Sequence, residues 1–350
     1  MKKSNIFLIS GIVVLFASLL FSVWFFLLRP STDQSTVPTS DIRIGFSLGD
    51  LREERWQKDR DLFVAAAKKL GAYVQVASAN SDADLQNTQI ENMISQGMDI
   101  IVIVPYDSEK VKTAVDAAHK ANIKLLSYDR LIRGANVDFY ITFDNAQVGK
   151  LQAQGVTAVQ NKGNFAYIGG APTDNNASLL KKGSMEVLSP LIKDGSIKLV
   201  IDKLTEGWKP EEAYKTIKEY LSKGGKLDAV VAANDGTAFG VIRALKEHGL
   251  EGKVPVSGQD AELSACQRVV AGTQTVTVYK PLNLIAEKAA EIAVSMARGG
   301  IPTSNNKTND GNIDVPSLYL EPILVTRENI DEIIIKGGFY TKAQVYQKIK

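Results

Sequence analysis

Residues 42–56 read IRIGFSLGDLREERW, and this stretch decides the fold. Ile42–Gly49 is a short apolar run with the length and composition of a buried strand. It leads directly into a polar cluster, Asp50 and then Arg55-Trp56, and a helical pattern follows over Glu54–Leu70. The same sentence is repeated down the chain. Ile100–Pro105 ends at Tyr106-Asp107, Ile123–Ser127 at Tyr128-Asp129-Arg130, and Phe165–Ala171 at Asp174-Asn175-Asn176. Leu227–Ala233 ends at Asn234-Asp235, and Val254–Gly258 at Gln259-Asp260. In open parallel α/β sheets, ligands sit beyond the carboxyl ends of the strands. Trp, Arg, Asp and Asn at those ends place hydrogen-bond donors, acceptors and flat apolar surfaces around a common space.

The units fall into two series. In the first, strands at Ile42–Gly49, Tyr73–Ala77, Ile100–Pro105 and Ile123–Tyr128 alternate with helical patterns near Glu54–Leu70, Asp84–Gln96 and Ser108–Ala121. In the second, Phe165–Gly169, Ile197–Leu204, Ala229–Ala233 and Val254–Ser257 alternate with Ala177–Leu191, Pro210–Ser222, Gly236–His248 and Ala261–Ala271. This alternation predicts an α/β protein with parallel sheets and right-handed crossovers, both sheet faces being covered. Gly71, Gly97, Gly249 and Gly272 fit the positions just past helix ends.

The 350-residue chain has 45% hydrophobic and 23% charged residues and a net charge of +2, an ordinary globular balance with no basic cluster for nucleic acid. Its single cysteine, Cys266, excludes an intrachain disulfide and reads as a small buried apolar residue. Residues 6–28 differ from the rest. Ile6–Leu28 carries no charge over 23 residues, follows Lys2-Lys3 and precedes Arg29-Pro30. As a helix it spans about 34 Å, enough for a bilayer core of roughly 30 Å. It predicts an uncleaved single-pass anchor with everything after Arg29 extracytoplasmic; a cleaved signal is the alternative. Ser31–Ser40 reads as a tether.

A pyranose has apolar C–H faces and a rim of hydroxyls, so binding one takes aromatic rings and planar hydrogen-bonding groups. Trp56 and Trp208 can supply rings, and Arg55 and Arg130 supply five-donor forks. Asp174, Asn176, Asn234 and Asp260 supply acceptors, the asparagines also donors. Each of these four precedes a helical pattern, so helix capping is the competing reading. Capping alone covers Asp107, Asp129 and Asp235, which stay outside the expected site. No catalytic motif emerges: no G-x-S-x-G, P-loop or dinucleotide fingerprint occurs, and His119 and His248 lie in charged helical surroundings. Asp82-x-Asp84 lacks the glycine and glutamate of a calcium loop and reads as a cap. Neither cofactor nor metal is expected.

From Asp41 onward the chain resembles the periplasmic sugar-binding proteins of ABC transporters, and among them the D-xylose binders. The resemblance rests on Asp50–Asp61 (DLREERWQKDRD), Gln89–Ile94, Tyr128–Arg130, Asp138–Asn145, Asp174–Ala177, Ser257–Ala261, Gly272–Thr275 and Val278–Pro281. It implies two Rossmann-like lobes joined by a three-stranded hinge, a Venus-flytrap of the type I periplasmic-binding-protein class, closing on a monosaccharide. The implied division is 1–30 (cytoplasmic tip and transmembrane helix), 31–41 (linker), 42–143 with 279–317 (first lobe) and 144–278 with 318–350 (second lobe). Asp144–Gln160 and Pro281–Arg298 are expected as helices after crossings, and Val315–Val325 as a third crossing. The resemblance implies that Arg55, Trp56, Arg130, Asp174, Asn176, Trp208, Asn234 and Asp260 contact the sugar, and it adds Lys280. An uncleaved anchor departs from the family pattern. It leads to the expectation of a receptor reporting to a membrane partner, the extracellular region of a sensor histidine kinase, with service to an ABC permease as the alternative.

Overall fold

The computed structural model describes residues 42–347, so the predicted membrane span and tether lie outside the described residues. Among the described residues, no helix is long and apolar enough to cross a membrane.

Two main sheets and one two-stranded pair organise the described residues. The larger has seven strands: β1 (Ile42–Leu48), β2 (Ala72–Ser78), β3 (Ile100–Val104), β4 (Lys124–Tyr128), β5 (Phe139–Phe143), β10 (Asn306–Asn309) and β11 (Asp314–Leu320). Their spatial order is β10-β11-β5-β4-β3-β1-β2. β3 is buried along its whole length, and its side chains alternate between two cores. Ile100, Val102 and Val104 join Phe46, Phe63 and the helix Leu282–Ala297, whereas Ile101 and Ile103 join Ile90, Met93 and Val115. A period of two, with apolar residues on both faces, is what a central parallel strand demands. The smaller sheet has the order β7-β6-β8, from β6 (Gly163–Gly169), β7 (Ile197–Leu204) and β8 (Ala229–Ala232). It repeats the arrangement: Ala166 and Ile168 face one core, Phe165 and Tyr167 the other.

The sheets are not purely parallel, as the sequence pattern had implied. β10 and β11 form an antiparallel hairpin, and β9 (Thr277–Tyr279) pairs antiparallel with β12 (Ile323–Val325). Side chains in the Asp310–Ile313 turn explain the hairpin: Asp310 Oδ1 accepts from the amides of Asn312 and Ile313 at 2.7 and 2.8 Å. The expected strand at Val254–Ser257 is reduced to a single bridge between Val230 and Val256. The expected extended crossing at Val315–Val325 is divided at Glu321-Pro322, β11 staying in the large sheet and β12 leaving it. β5 (Phe139–Phe143), between β4 and β11 in the large sheet, is not among the strands expected from the sequence. The fold is therefore a two-lobed α/β structure with mixed sheets. Gly272 ends the helix Leu263–Ala271 at φ 80°, as expected of its position.

Candidate functional site

All nine residues singled out from the sequence line one cavity, together with Glu53, Asp129 and Gln259. They arrive from strand ends and helix first turns of both sheets. Arg55 and Asp59 lie one turn apart on the helix Glu54–Lys69, so both face inward. Arg55 is almost fully buried. Its Nε donates to Asp59 (3.2 Å), Nη2 to Asp129 (2.9 Å) and Nη1 to Asp260 (3.2 Å). Arg130 Nε donates to Asp174 Oδ2 at 2.8 Å. Lys280 Nζ lies 2.9 Å from Asp260 Oδ1 and 4.0 Å from Asp129 Oδ2.

Asp174 and Asn234 both cap a helix and reach into the cavity, whereas the side chains of Asn176 and Asp260 cap none. Asp174 Oδ1 accepts from the Asn176 amide, capping the helix Asn175–Lys193, while Oδ2 takes Arg130 and the indole N–H of Trp208 at 3.1 Å. Asn234 Oδ1 caps the helix Asp235–Glu247 through Thr237 N, while Nδ2 donates across the cavity to Glu53 at 3.0 Å. Asn176 Nδ2 donates to the Asp129 carbonyl and carboxylate, but its Oδ1, like Gln259 Oε1, has no protein partner. A buried acceptor without a donor is costly, and both oxygens belong to residues lining the cavity.

The two tryptophans differ. The Trp56 ring carries the guanidiniums of Arg55 and Arg130 at 4.1 and 4.9 Å from its centroid, and its N–H donates to Glu53. It backs the two forks by cation–π contact. Trp208 sits in a tight turn at φ 58°. Asp129 and Asp260 also have positive φ, 60° and 90°. Three non-glycine residues of one cavity in the left-handed region mark a place where the surroundings hold strain.

Asp129, assigned by the sequence to capping, instead lies at the centre of the site and caps no helix. Burial works to raise its carboxyl pKa, but the charges of Arg55 and Lys280 prevail and hold it below the usual carboxylate range. Burial raises Glu53, against the pull of Arg130, and raises Asp59 to about 6. Asp235 is likewise no surface cap. It is fully buried, accepts from Gln274 Nε2, Thr277 Oγ1 and Glu262 N, and is pushed by burial up to about 7. Asp107 does cap a turn, through Glu109 N and Lys110 N. Sequence reasoning missed Glu53, Asp129 and Gln259. The signal available was adjacency, since each sits within two residues of a residue already chosen.

Because these groups pair with one another, the free space between them is only about 10 Å3, room for about one water. Four carboxylates (Glu53, Asp129, Asp174, Asp260) face three cations (Arg55, Arg130, Lys280), a near balance that suits an uncharged ligand rich in hydroxyls. A wider groove beside it shares Glu53 and Trp208, but its walls expose more carbon than polar surface. Among the described residues, no cluster of His, Cys, Asp and Glu is arranged to hold a metal ion.

Residues 44–301 match the model of the periplasmic binding protein domain. The chain is 49% identical over 313 residues to the D-xylose-binding periplasmic protein of Haemophilus influenzae, covering 89% of this chain and 94% of that protein. It is 48% identical over 306 residues to the D-xylose-binding periplasmic protein of Escherichia coli, covering 87% and 93%. A solved ABC transporter solute binding protein from Clostridium phytofermentans, with bound β-D-glucose, matches with a TM-score of 0.81 at 30% identity, covering 87% of this chain and 99% of that one. The chain belongs to the periplasmic binding protein family, whose members bind solutes and are not enzymes, and within it is related to the D-xylose-binding proteins.

Proposed function

We propose that the protein is the extracytoplasmic solute-binding component of a sugar ABC transporter, and that it takes D-xylose between its two lobes. The observation that carries this reading is the convergence of Arg55 and Arg130 from one sheet with Asp174, Asn176, Asn234 and Asp260 from the other. The names and coverage of the relatives support both the sugar and the transporter. Residues 42–143 with 279–320 form one lobe and 144–278 with 323–347 the other, the expected boundary at 317 moving to the end of β11 because residues 318–320 pair with β5. Arg55, Trp56 and Arg130 grip from the first lobe, the remaining residues grip from the second, and Lys280 reaches in from a crossing strand.

The cross-lobe bonds state the mechanism. Arg130–Asp174, Arg55–Asp260, Asn176–Asp129 and Asn234–Glu53 each join the two lobes directly. A pentose enters when the lobes part, and its hydroxyls then take over these donors and acceptors as the lobes close. Ligand favours the closed form because only that form contacts it from both sides. Hydrogen bonds to charged groups are worth roughly 1.5–3 kcal/mol each. A micromolar Kd needs about −8 kcal/mol, so a handful of such bonds and one stacking face suffice after the costs of ordering.

Calorimetry with D-xylose and other pentoses and hexoses tests the reading. Wild-type protein should bind D-xylose with micromolar or tighter affinity, and Trp208→Ala should weaken it by about tenfold or more, the scale of a lost aromatic face. Absence of heat with every sugar would overturn the assignment.

The apolar run Ile6–Leu28 favours a second reading, in which the receptor stays anchored and reports to a sensor histidine kinase. The relatives support transport instead. N-terminal sequencing of membrane-bound protein and identification of what co-purifies with it separate the two.

A further inference from the structure

Trp208 is an unusual residue to find in the left-handed region. Its φ is 58°, and Gly207 before it is at 57°. For a bulky side chain this backbone is unfavourable and persists only where neighbours impose it. Two hydrogen bonds help to impose it. The indole N–H donates to Asp174 Oδ2 at 3.1 Å, and the Trp208 amide donates to the Thr205 carbonyl at 3.3 Å. Thr205 is itself tied to the end of β6, its hydroxyl donating to the Gly169 carbonyl at 2.7 Å.

The third constraint is a missing atom. Gly170, immediately after β6, lies directly against the six-membered ring of Trp208. A Cβ at position 170 would stand 2.1 Å from Cη2, 2.2 Å from Cζ2 and 2.4 Å from Cζ3. Gly170 is not in the left-handed region, so its backbone would accept alanine. Only the indole forbids it. Ala171, Ala177, Leu180 and Ala233 belong to the same buried apolar cluster as Trp208 and oppose a retreat of the ring into the core. Restoring ordinary contact would require the ring to move by about 1.3 Å, and because Trp208 borders both the cavity and the wider groove, a shift toward either displaces the stacking face.

We infer that Gly170 is a positioning residue for sugar binding: by letting the indole of Trp208 rest on its Cα, it sets the depth of the stacking face and so the width of the slot for the pyranose ring. The inference rests on the reading above, that Trp208 stacks on the ligand. It applies to the apolar C–H face of a pyranose, because the indole presents carbon to the cavity while its one polar atom is spent on Asp174.

The test is a double-mutant cycle on the full-length protein, with D-xylose affinity measured by calorimetry and folding by melting temperature. Gly170→Ala should weaken binding by about tenfold, the effect of overpacking a rigid contact. In the Trp208→Phe background the same change should cost less than about twofold, because the atoms it strikes are gone and the two effects are no longer additive. A role in stability alone predicts an equal cost in both backgrounds, and that result would overturn the inference, as would wild-type affinity in Gly170→Ala. If Gly170→Ala fails to fold, Gly170→Ala/Trp208→Phe should fold and bind like Trp208→Phe; a double variant that also fails to fold counts against the inference. Trp208→Ala is the control: if it binds like wild type, the stacking reading fails first, whereas loss of binding in Trp208→Ala with none in Gly170→Ala sinks the positioning role alone.

Discussion

The two sides of the cavity are built on different electrostatic plans. On the first lobe Arg55 comes with its own counter-charges: it is held by Asp59 of the same helix and by Asp129 just after β4. On the second lobe the acids come without such partners. Asp174 is paired with Arg130 from across the cleft, and Asp260 with Arg55 and with Lys280 from a crossing strand. Arg55 is therefore held in part within its own lobe, whereas Arg130 and the second-lobe acids find their nearest charge partners across the cleft. Buried ion pairs add little net stability because desolvation offsets their attraction, but leaving one member unpaired is costly. The cleft thus favours closure, and a neutral polyol can replace these pairings without stranding a charge.

The comparison breaks most easily at the pair that spans the cleft. Arg130→Met leaves Asp174 without its cation and removes a fork from the site. Losing one partner of a buried charge pair costs about 2–5 kcal/mol, so D-xylose affinity measured by calorimetry should fall by at least about 30-fold. Asp59→Asn tests the self-sufficient side. Arg55 keeps Asp129, so the expected loss is smaller, about tenfold, on the scale of one hydrogen bond to a charged group. If the two variants lose affinity equally, the proposed difference between the lobes does not exist.

The pH dependence of stability sharpens the contrast. Asp235 is raised to about 7 and Asp59 to about 6, in both cases first by burial. In the folded protein these carboxyls hold protons that the unfolded chain has already released. Their contribution is full below about pH 4 and is lost as pH rises through about 6 and 7. Asp129 has the opposite sign: its lowered pKa contributes stability at neutral pH that is lost in acid. Asp235→Asn should accordingly flatten the decline in melting temperature between about pH 5 and pH 8 relative to wild type. An unchanged slope would show that Asp235 is ionised throughout. The smallest effect belongs to the surface. Lys181 and Asp202 pair at 2.7 Å, but both are exposed. Lys181→Ala should leave sugar affinity unchanged and shift stability by no more than about 1 kcal/mol.

Most of the scaffold was legible in the sequence because it depends on local pattern. The continuous apolar run Ile100–Val104 and the glycine after the helix Leu263–Ala271 each identify an element within a few residues. Where legibility failed, the element was set by its partners. Val254–Ser257 looks like a strand but makes one bridge, and Phe139–Phe143 becomes a strand because β4 and β11 flank it. Asp129 shows the same limit within the site. An aspartate after a strand reads as a cap until Arg55, Asn176 and Lys280, distant in sequence, are seen to surround it.

By itself, the sequence determined that polar and aromatic residues stand at the ends of buried strands, and hence which end of each sheet could hold a ligand, because strand and helix propensity act over short distances. Tertiary structure alone decided that Asp174 and Asn234 would turn their second polar atom inward. It also decided that Asp260 would meet Arg55, 205 positions away, and that Trp208 would rest on a residue with no side chain. Such contacts have no local signature. They exist only once segments distant in sequence have been packed against one another.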